Sequence, residues 1–164
     1  MEKHFTATTY IISSDKILLL FHAKIEKWLP PGGHLEENEI PSIAAKREVL
    51  EETGLEIEWI LQENLWIDRW NAKSIERPYL CLLENIQAYG DVAEHQHIDF
   101  IYIAKPSGGN LFLDPLIRWF SIEEVRSLKA DQDIFLETQE TIFHLFKSLP
   151  LQFSSSNSYT TQVF

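Results

Sequence analysis

The stretch GHLEENEIPSIAAKREVLEETGL, residues 33–55, decides how this chain is read. It follows Pro30-Pro31-Gly32 and carries Glu48, Glu51 and Glu52 at helical spacing. Pro41 suits the first position of a helix, where its missing N–H does no harm, and Gly54 suits the position just past the end. The spacing therefore predicts a helix over 41–53. Ile40 would fall at its cap and cannot accept a hydrogen bond from the first turn, so another group must. Residues three and four apart share a helix face, so the three glutamates crowd onto about a quarter of the circumference. Like charges at these spacings cost ~0.2–0.5 kcal/mol per pair, part of which Arg47, four before Glu51, can relieve. The acids also occupy the C-terminal half of the helix, where the macrodipole disfavours negative charge.

Such crowding calls for a compensating ligand, set against the plain alternative of a solvated acidic face. Magnesium favours a few carboxylates, retained waters and substrate phosphates. Glycines in the preceding turn would let backbone approach a ligand closely. Ala44, one turn above Glu48, leaves room for an ion. Ala45 with Val49, and Ile43 with Leu50, flank the acidic stripe and predict packing along two edges of the helix.

The remaining sequence bounds the fold. The 164 residues suit one domain, expected over 1–150 with a flexible tail over 151–164, where Ser154-Ser155-Ser156-Asn157-Ser158 falls. Strands are expected over 5–12 and 16–22, joined by a turn at Ser13-Ser14-Asp15, the second buried on both faces. Two prolines and two glycines predict a loop over 24–33. Further strands are expected over 56–68, 77–86, 97–104 and 117–120, with a polar connection over 69–76. Ser121 and Glu124 form a capping-box pattern opening a brief helix to about Leu128. An amphipathic helix over 133–149 carries Phe135, Ile142, Phe146 and Leu149 on one side and ends at Pro150. The sum is an α/β domain.

A net charge of −11, from 25 acids against 14 Lys and Arg, argues against duplex DNA or long RNA as a partner. A small anionic substrate is compatible if a metal and a few local cations overcome the field. No run of ~18 apolar residues suggests a membrane span, and the polar, alternating start is unlike a signal peptide. A single cysteine, Cys81, excludes an internal disulfide and fits a reducing cytoplasm. Cys81 falls in an apolar strand and is expected to be buried packing.

The 33–55 stretch resembles the signature of the Nudix hydrolases, of which MutT is one, written G-x5-E-x7-R-E-U-x-E-E-x-G-U with U aliphatic. Gly33, Glu39, Arg47, Glu48, Val49, Glu51, Glu52, Gly54 and Leu55 match every defined position. The resemblance implies an α/β/α sandwich with a mixed sheet and a C-terminal helix. It implies hydrolysis, with Mg2+ or Mn2+, of a nucleoside diphosphate linked to another group. Carried over residue by residue, Glu48, Glu51, Glu52 and the Gly33 carbonyl are the expected metal ligands. Arg47 and Glu39 are expected to orient the helix against its loop, and Glu51, Glu52 and Arg47 to form the catalytic set. Glu94 and Asp114 are alternative general bases outside the signature.

Other residues have both a plain and a functional reading. His95, His97 and Asp99 share one face of a strand; the plain reading is that this face is polar because it meets solvent, alone they are an incomplete metal site, and substrate contact is the stronger functional option, with His97 the chosen contact. Arg69, Lys73 and Arg77 could grip phosphate, as could Lys24 and Lys27, or they are solvated cations. Trp28, Trp66, Trp70 and Trp119 could stack on a base or serve as core; Trp28 lies nearest the glycine turn. His34 borders the expected metal site but is not a signature position, and is assigned no role.

The expected substrates are nucleoside triphosphates, oxidised nucleotides, dinucleoside polyphosphates or nucleotide sugars, because the discriminating groups lie on loops outside the signature. A non-catalytic nucleotide sensor would be expected to have lost some of the acids. An isopentenyl diphosphate isomerase would need an active-site cysteine, and a repair-glycosylase accessory domain suits neither the acids nor the charge. Oligomeric state stays open, with a homodimer among the options.

Overall fold

The computed structural model describes residues 1–60 and 65–149. Pro150 and the expected tail over 151–164 lie outside the described residues. In chain order the elements are β1 Lys3–Ser13, β2 Lys16–His22, β3 Lys27–Leu29, β4 Gly32–His34, α1 Pro41–Thr53, β5 Leu55–Trp59, β6 Asp68–Arg69, β7 Ala72–Lys73, β8 Leu80–Ile86, β9 His95–Gly109, β10 Ile117–Ser121, α2 Ile122–Ser127 and α3 Leu136–Ser148.

The parallel pairing of β1 with β9, from Lys3↔Gln96 to Ile11↔Ala104, is the spine of the sheet. Along the other edge of β9, β8 and β5 pair antiparallel end to end. Beyond β1 lies β2, reached through a tight turn at Ser14 (φ 56°) and flanked by β10. After that hairpin β1 and β2 part, and the gap is filled by β3 on β2 and β4 on β1.

The expected loop over 24–33 is thus corrected to two short strands with Pro30 and Pro31 between them. Proline cannot donate to a ladder, but it can accept, and the Pro31 carbonyl takes a hydrogen bond from the Thr9 N–H at 2.9 Å. Gly32 is needed for the approach, because a Cβ there would lie 2.6 Å from the Ala7 carbonyl oxygen and 2.8 Å from Thr8 Cα.

Alternation along the strands sorts side chains into two cores. On one face Tyr10, Ile12, Ile17, Leu19, Ile101 and Ile103 meet Val125, Ile134, Ile142 and Leu145 from the α2–α3 region. On the other face Ala7, Ile11, Leu18, Tyr102 and Ala104 lie in the clusters that hold Ala44, Ala45 and Val49 of α1. The result is the expected α/β/α sandwich with a mixed sheet, and β2 is buried on both sides as its apolar run implied. Helix α1 packs along one edge only, because its small residues let it settle close to the strands, leaving Ile43 53% and Leu50 50% exposed.

Other boundaries shift for local reasons. The capping box at Ser121 and Glu124 forms as expected. Helix α3 starts at Leu136 because Asp131 accepts from the Leu136 N–H (3.1 Å) and Asp133 from the Lys129 N–H (2.8 Å), which closes a turn instead of extending the helix. The connection over 69–76 contains part of a small hairpin, β6 with β7. The strand expected over 56–68 is β5 alone as far as Trp59, and residues 61–64 lie outside the described part. Cys81 is exposed, not buried: along β8 it is Leu80 and Leu82 that turn to the core, so Cys81 faces out. Among the described residues no helix is long and apolar enough to cross a membrane.

The one-sided packing of α1 has a measurable consequence. Ile142→Ala should lower the unfolding free energy by about 2–5 kcal/mol, whereas Ile43→Ala should stay within about 0.5 kcal/mol. Urea titration of the two variants checks this, and a large loss at Ile43 would show that α1 is buried on its second edge.

Candidate active site

Helix α1 and strand β4 face each other, and the acids lie where they meet. The helix ends as its sequence requires, with Gly54 in the left-handed region (φ 76°) and its N–H bonded to the Leu50 carbonyl. Ile40 provides no side-chain cap. Glu76 instead reaches the first turn from a distant segment, accepting from the Ser42 hydroxyl at 2.7 Å and placing negative charge where the macrodipole welcomes it.

Arg47 ties this unit together. Its guanidinium donates to both oxygens of Glu39 (3.0 and 2.9 Å), to the His34 carbonyl (3.0 Å), to Glu48 (2.7 Å) and to Glu51 (3.2 Å). Glu39 is in turn held by the Glu36 N–H at 3.0 Å. The Arg47 fork comes first among the causes that hold the Glu39 carboxyl below its ordinary value. Helix, connecting loop and β4 are thereby locked in one geometry.

The glutamates occupy distinct environments. Glu48 lies against Gly33, where a Cβ would sit 2.5–2.8 Å from its carboxylate atoms. Glu51 is 59% exposed at its side chain and Glu48 only 16%. Glu52 is half-buried and accepts from the Gly32 N–H at 3.0 Å. Burial, with smaller repulsion from Glu48 and Glu51, pushes its carboxyl up to about 7 despite that bond. An acid so poorly compensated, beside a backbone cradle that excludes a side chain, fits a hard divalent cation.

A sequence model of the NUDIX domain matches residues 2–139. The chain belongs to the Nudix family. Among solved structures, a NUDIX-family hydrolase from Clostridium perfringens is 27% identical, with a TM-score of 0.69 over 91% of this chain and 99% of that one. A NUDIX hydrolase from Nitrosomonas europaea is 23% identical (TM-score 0.59; 97% and 100% covered), and an Ap4A hydrolase from C. elegans 19% identical (TM-score 0.56; 90% and 100% covered). This Nudix protein is a pyrophosphohydrolase.

The other expected site residues are dispersed in the Nudix fold. Arg69 is exposed on β6 and bonds the Asp68 carbonyl (2.9 Å), while Lys73 pairs with Asp68 (3.4 Å). Arg77 lines a cleft with Trp59, Glu76, Tyr79 and Tyr102. Trp28 packs edge-on against Phe120 (ring centroids 4.8 Å) and Phe21 (5.3 Å), within the core of the opposite face. Lys27 bonds the Gln132 carbonyl (3.1 Å) and Lys24 lies over the Tyr89 ring (3.8 Å). Trp66 and Trp70 are exposed, and Trp119 packs beside the α1-side core. Glu94 is exposed, and Asp114 accepts from the Leu116 N–H (2.8 Å) to close its own turn.

His95, His97 and Asp99 do share a face, but solvent is not the reason: His95 is 5% and Asp99 3% exposed. Asp99 accepts from the Thr6 hydroxyl at 2.9 Å. Burial first, then the neighbouring imidazoles, lowers His97 to about 4, and the same order of causes lowers His34. Burial also pushes Glu84 up to about 7, so the 3.8 Å approach of His97 to Glu84 is no full ion pair at neutral pH. His4 and His34 join this group from β1 and β4. No spacing could have shown it, because those residues meet only through strand register.

The Arg47–Glu39 fork sets a pH dependence. Since Glu39 is depressed in the folded state, its contribution is complete above the ordinary glutamate value of about 4.3 and is lost as pH falls through the lower folded value. Arg47→Lys keeps charge but not the fork. It should return Glu39 toward the ordinary value in a carboxyl NMR titration and lower stability at neutral pH by about 1.5–3 kcal/mol. An unmoved Glu39 titration would show that the fork does not form in solution.

Proposed function

We propose that this enzyme hydrolyses a nucleoside diphosphate linked to another group, using Mg2+ or Mn2+ held by Glu48, Glu51, Glu52 and the Gly33 carbonyl. The observation that carries the reading is the meeting of those three carboxylates with the β4 backbone, at a place where Glu52 lacks adequate compensation. When bound, a divalent cation would stabilise charge on the phosphate oxygens and acidify a coordinated water. The chain's own groups do the rest. Glu51, the most exposed of the three, and Glu52 are the two candidates within the signature to take the proton of the attacking water. Water adds at phosphorus, the bridging P–O bond breaks, and the leaving phosphate carries away the negative charge. Arg47 is a positioning residue, since its donors engage Glu39, Glu48, Glu51 and the His34 carbonyl.

The substrate's organic part would meet groups outside the signature. Arg77 can grip a phosphate in two places at once, although the Tyr102 beside it is buried against Trp59 and offers no face for stacking. Trp28 and Arg69, packed and bonded as they are, fit that role less well. The C. elegans relative's name specifies Ap4A, and at 19% identity it shares the fold alone. Nucleoside triphosphates, oxidised nucleotides, dinucleoside polyphosphates and nucleotide sugars are therefore all to be tried.

Glu52→Gln should lower turnover by about two orders of magnitude or more, with an unchanged circular dichroism spectrum. The assay is a panel of those nucleotides with Mg2+ and chromatography of the products. Undiminished turnover in Glu52→Gln would remove Glu52 from the proposed ligand set.

A further inference from the structure

Four of the chain's six histidines converge on one side of the sheet, the face opposite α1. His4 on β1 is the register partner of His97 on β9, and His34 on β4 is the partner of Thr6, two residues along from His4. One nitrogen from each of His4, His34 and His97 lies within 4.8 Å of the other two. His95 completes the group, with ring centroids 4.6 Å from His4 and 5.0 Å from His97. Its Nε2 approaches His97 Nε2 to 3.1 Å.

The outer sides of the rings point to a ligand. Metal-bound histidines usually present their second nitrogen to a carboxylate or a backbone carbonyl, which fixes the tautomer. His95 Nδ1 lies 2.9 Å from the Ala93 carbonyl, His4 Nε2 lies 3.3 Å from Glu2, and His97 Nδ1 lies 3.8 Å from Glu84. Of these, only the His95–Ala93 contact is a hydrogen bond among the described residues; Glu2 and Glu84 lie at ion-pair range of His4 and His97. With Nδ1–H of His95 donating to Ala93, its Nε2 lone pair faces the cluster.

We propose that His4, His34 and His97, with His95 beside them as a fourth donor, form a binding site for a borderline transition-metal ion, zinc above all, separate from the acidic site. Nitrogens around a tetrahedral zinc at 2.0–2.1 Å are about 3.3 Å apart, so modest side-chain rotations would close the cluster. Nitrogen donors suit zinc, whereas magnesium prefers oxygen. The two sites also take opposite faces of β4: Gly33 turns to Glu48, and His34, the next residue, to the histidines. An ion held here would pin β4 to β1 and β9, and so brace the strand that carries Gly33.

The test uses full-length, chelator-stripped protein free of any polyhistidine tag, titrated with zinc chloride in excess magnesium. One equivalent of zinc should bind and raise the melting temperature, and cobalt should give a visible tetrahedral band. His97→Ala and His4→Ala should each weaken zinc binding at least tenfold and abolish the thermal shift. His34→Ala, at an exposed position, reads the same loss should either of those fail to fold. Glu52→Gln should bind zinc as the parent does. Failure to take up zinc, displacement of zinc by magnesium, or loss of zinc in Glu52→Gln with retention in the histidine variants would overturn the proposal.

Discussion

The close approach of the Gly32–Gly33 backbone to the carboxylates of α1 is the constraint on which the site depends. A side chain at Gly33 would occupy the space of the Glu48 carboxylate, and one at Gly32 would strike β1. With no side chains there, the helix can lean on β4, the Gly32 N–H can reach Glu52, and Arg47 can hold the loop closed. Grouping three acids on one turn costs folding energy; Arg47 offsets it at Glu48 and Glu51, and Glu52 is left, among the described residues, with a single backbone N–H. A site that binds a cation must leave such a deficit.

The chemistry of the two faces of β4 follows from strand alternation. One side offers hard oxygen donors on a helix, the other nitrogen donors gathered from three strands. The sheet between them is rigid because β1 and β9 are paired over nine residues of unbroken parallel register. Neither donor set needs a mobile loop to assemble, which reduces the ordering cost of binding.

How much of this was legible in the sequence depended on the range of the interactions involved. Helix α1 could be read to its ends because Pro41, Gly54 and the acidic spacing are local signals. The capping box at Ser121 was legible for the same reason. Strands β3 and β4 were not, because the rule that prolines and glycines break structure ignores what a neighbouring strand can accept. The late start of α3 was hidden because Asp131 and Asp133 act through turn hydrogen bonds that periodicity does not register. Cys81 was misplaced because an apolar run does not say which side of an edge strand faces water. The histidine group was legible only in part: His95 and His97 share a strand face by alternation, but His4 and His34 join them only through tertiary pairing.

The most direct test of the central claim is diffraction from crystals grown with manganese, using its anomalous signal to locate the ion. The account predicts a peak within about 2.0–2.6 Å of carboxylate oxygens from Glu48 and Glu52 and of the Gly33 carbonyl. A manganese-saturated crystal whose only peaks lay away from those atoms would contradict it.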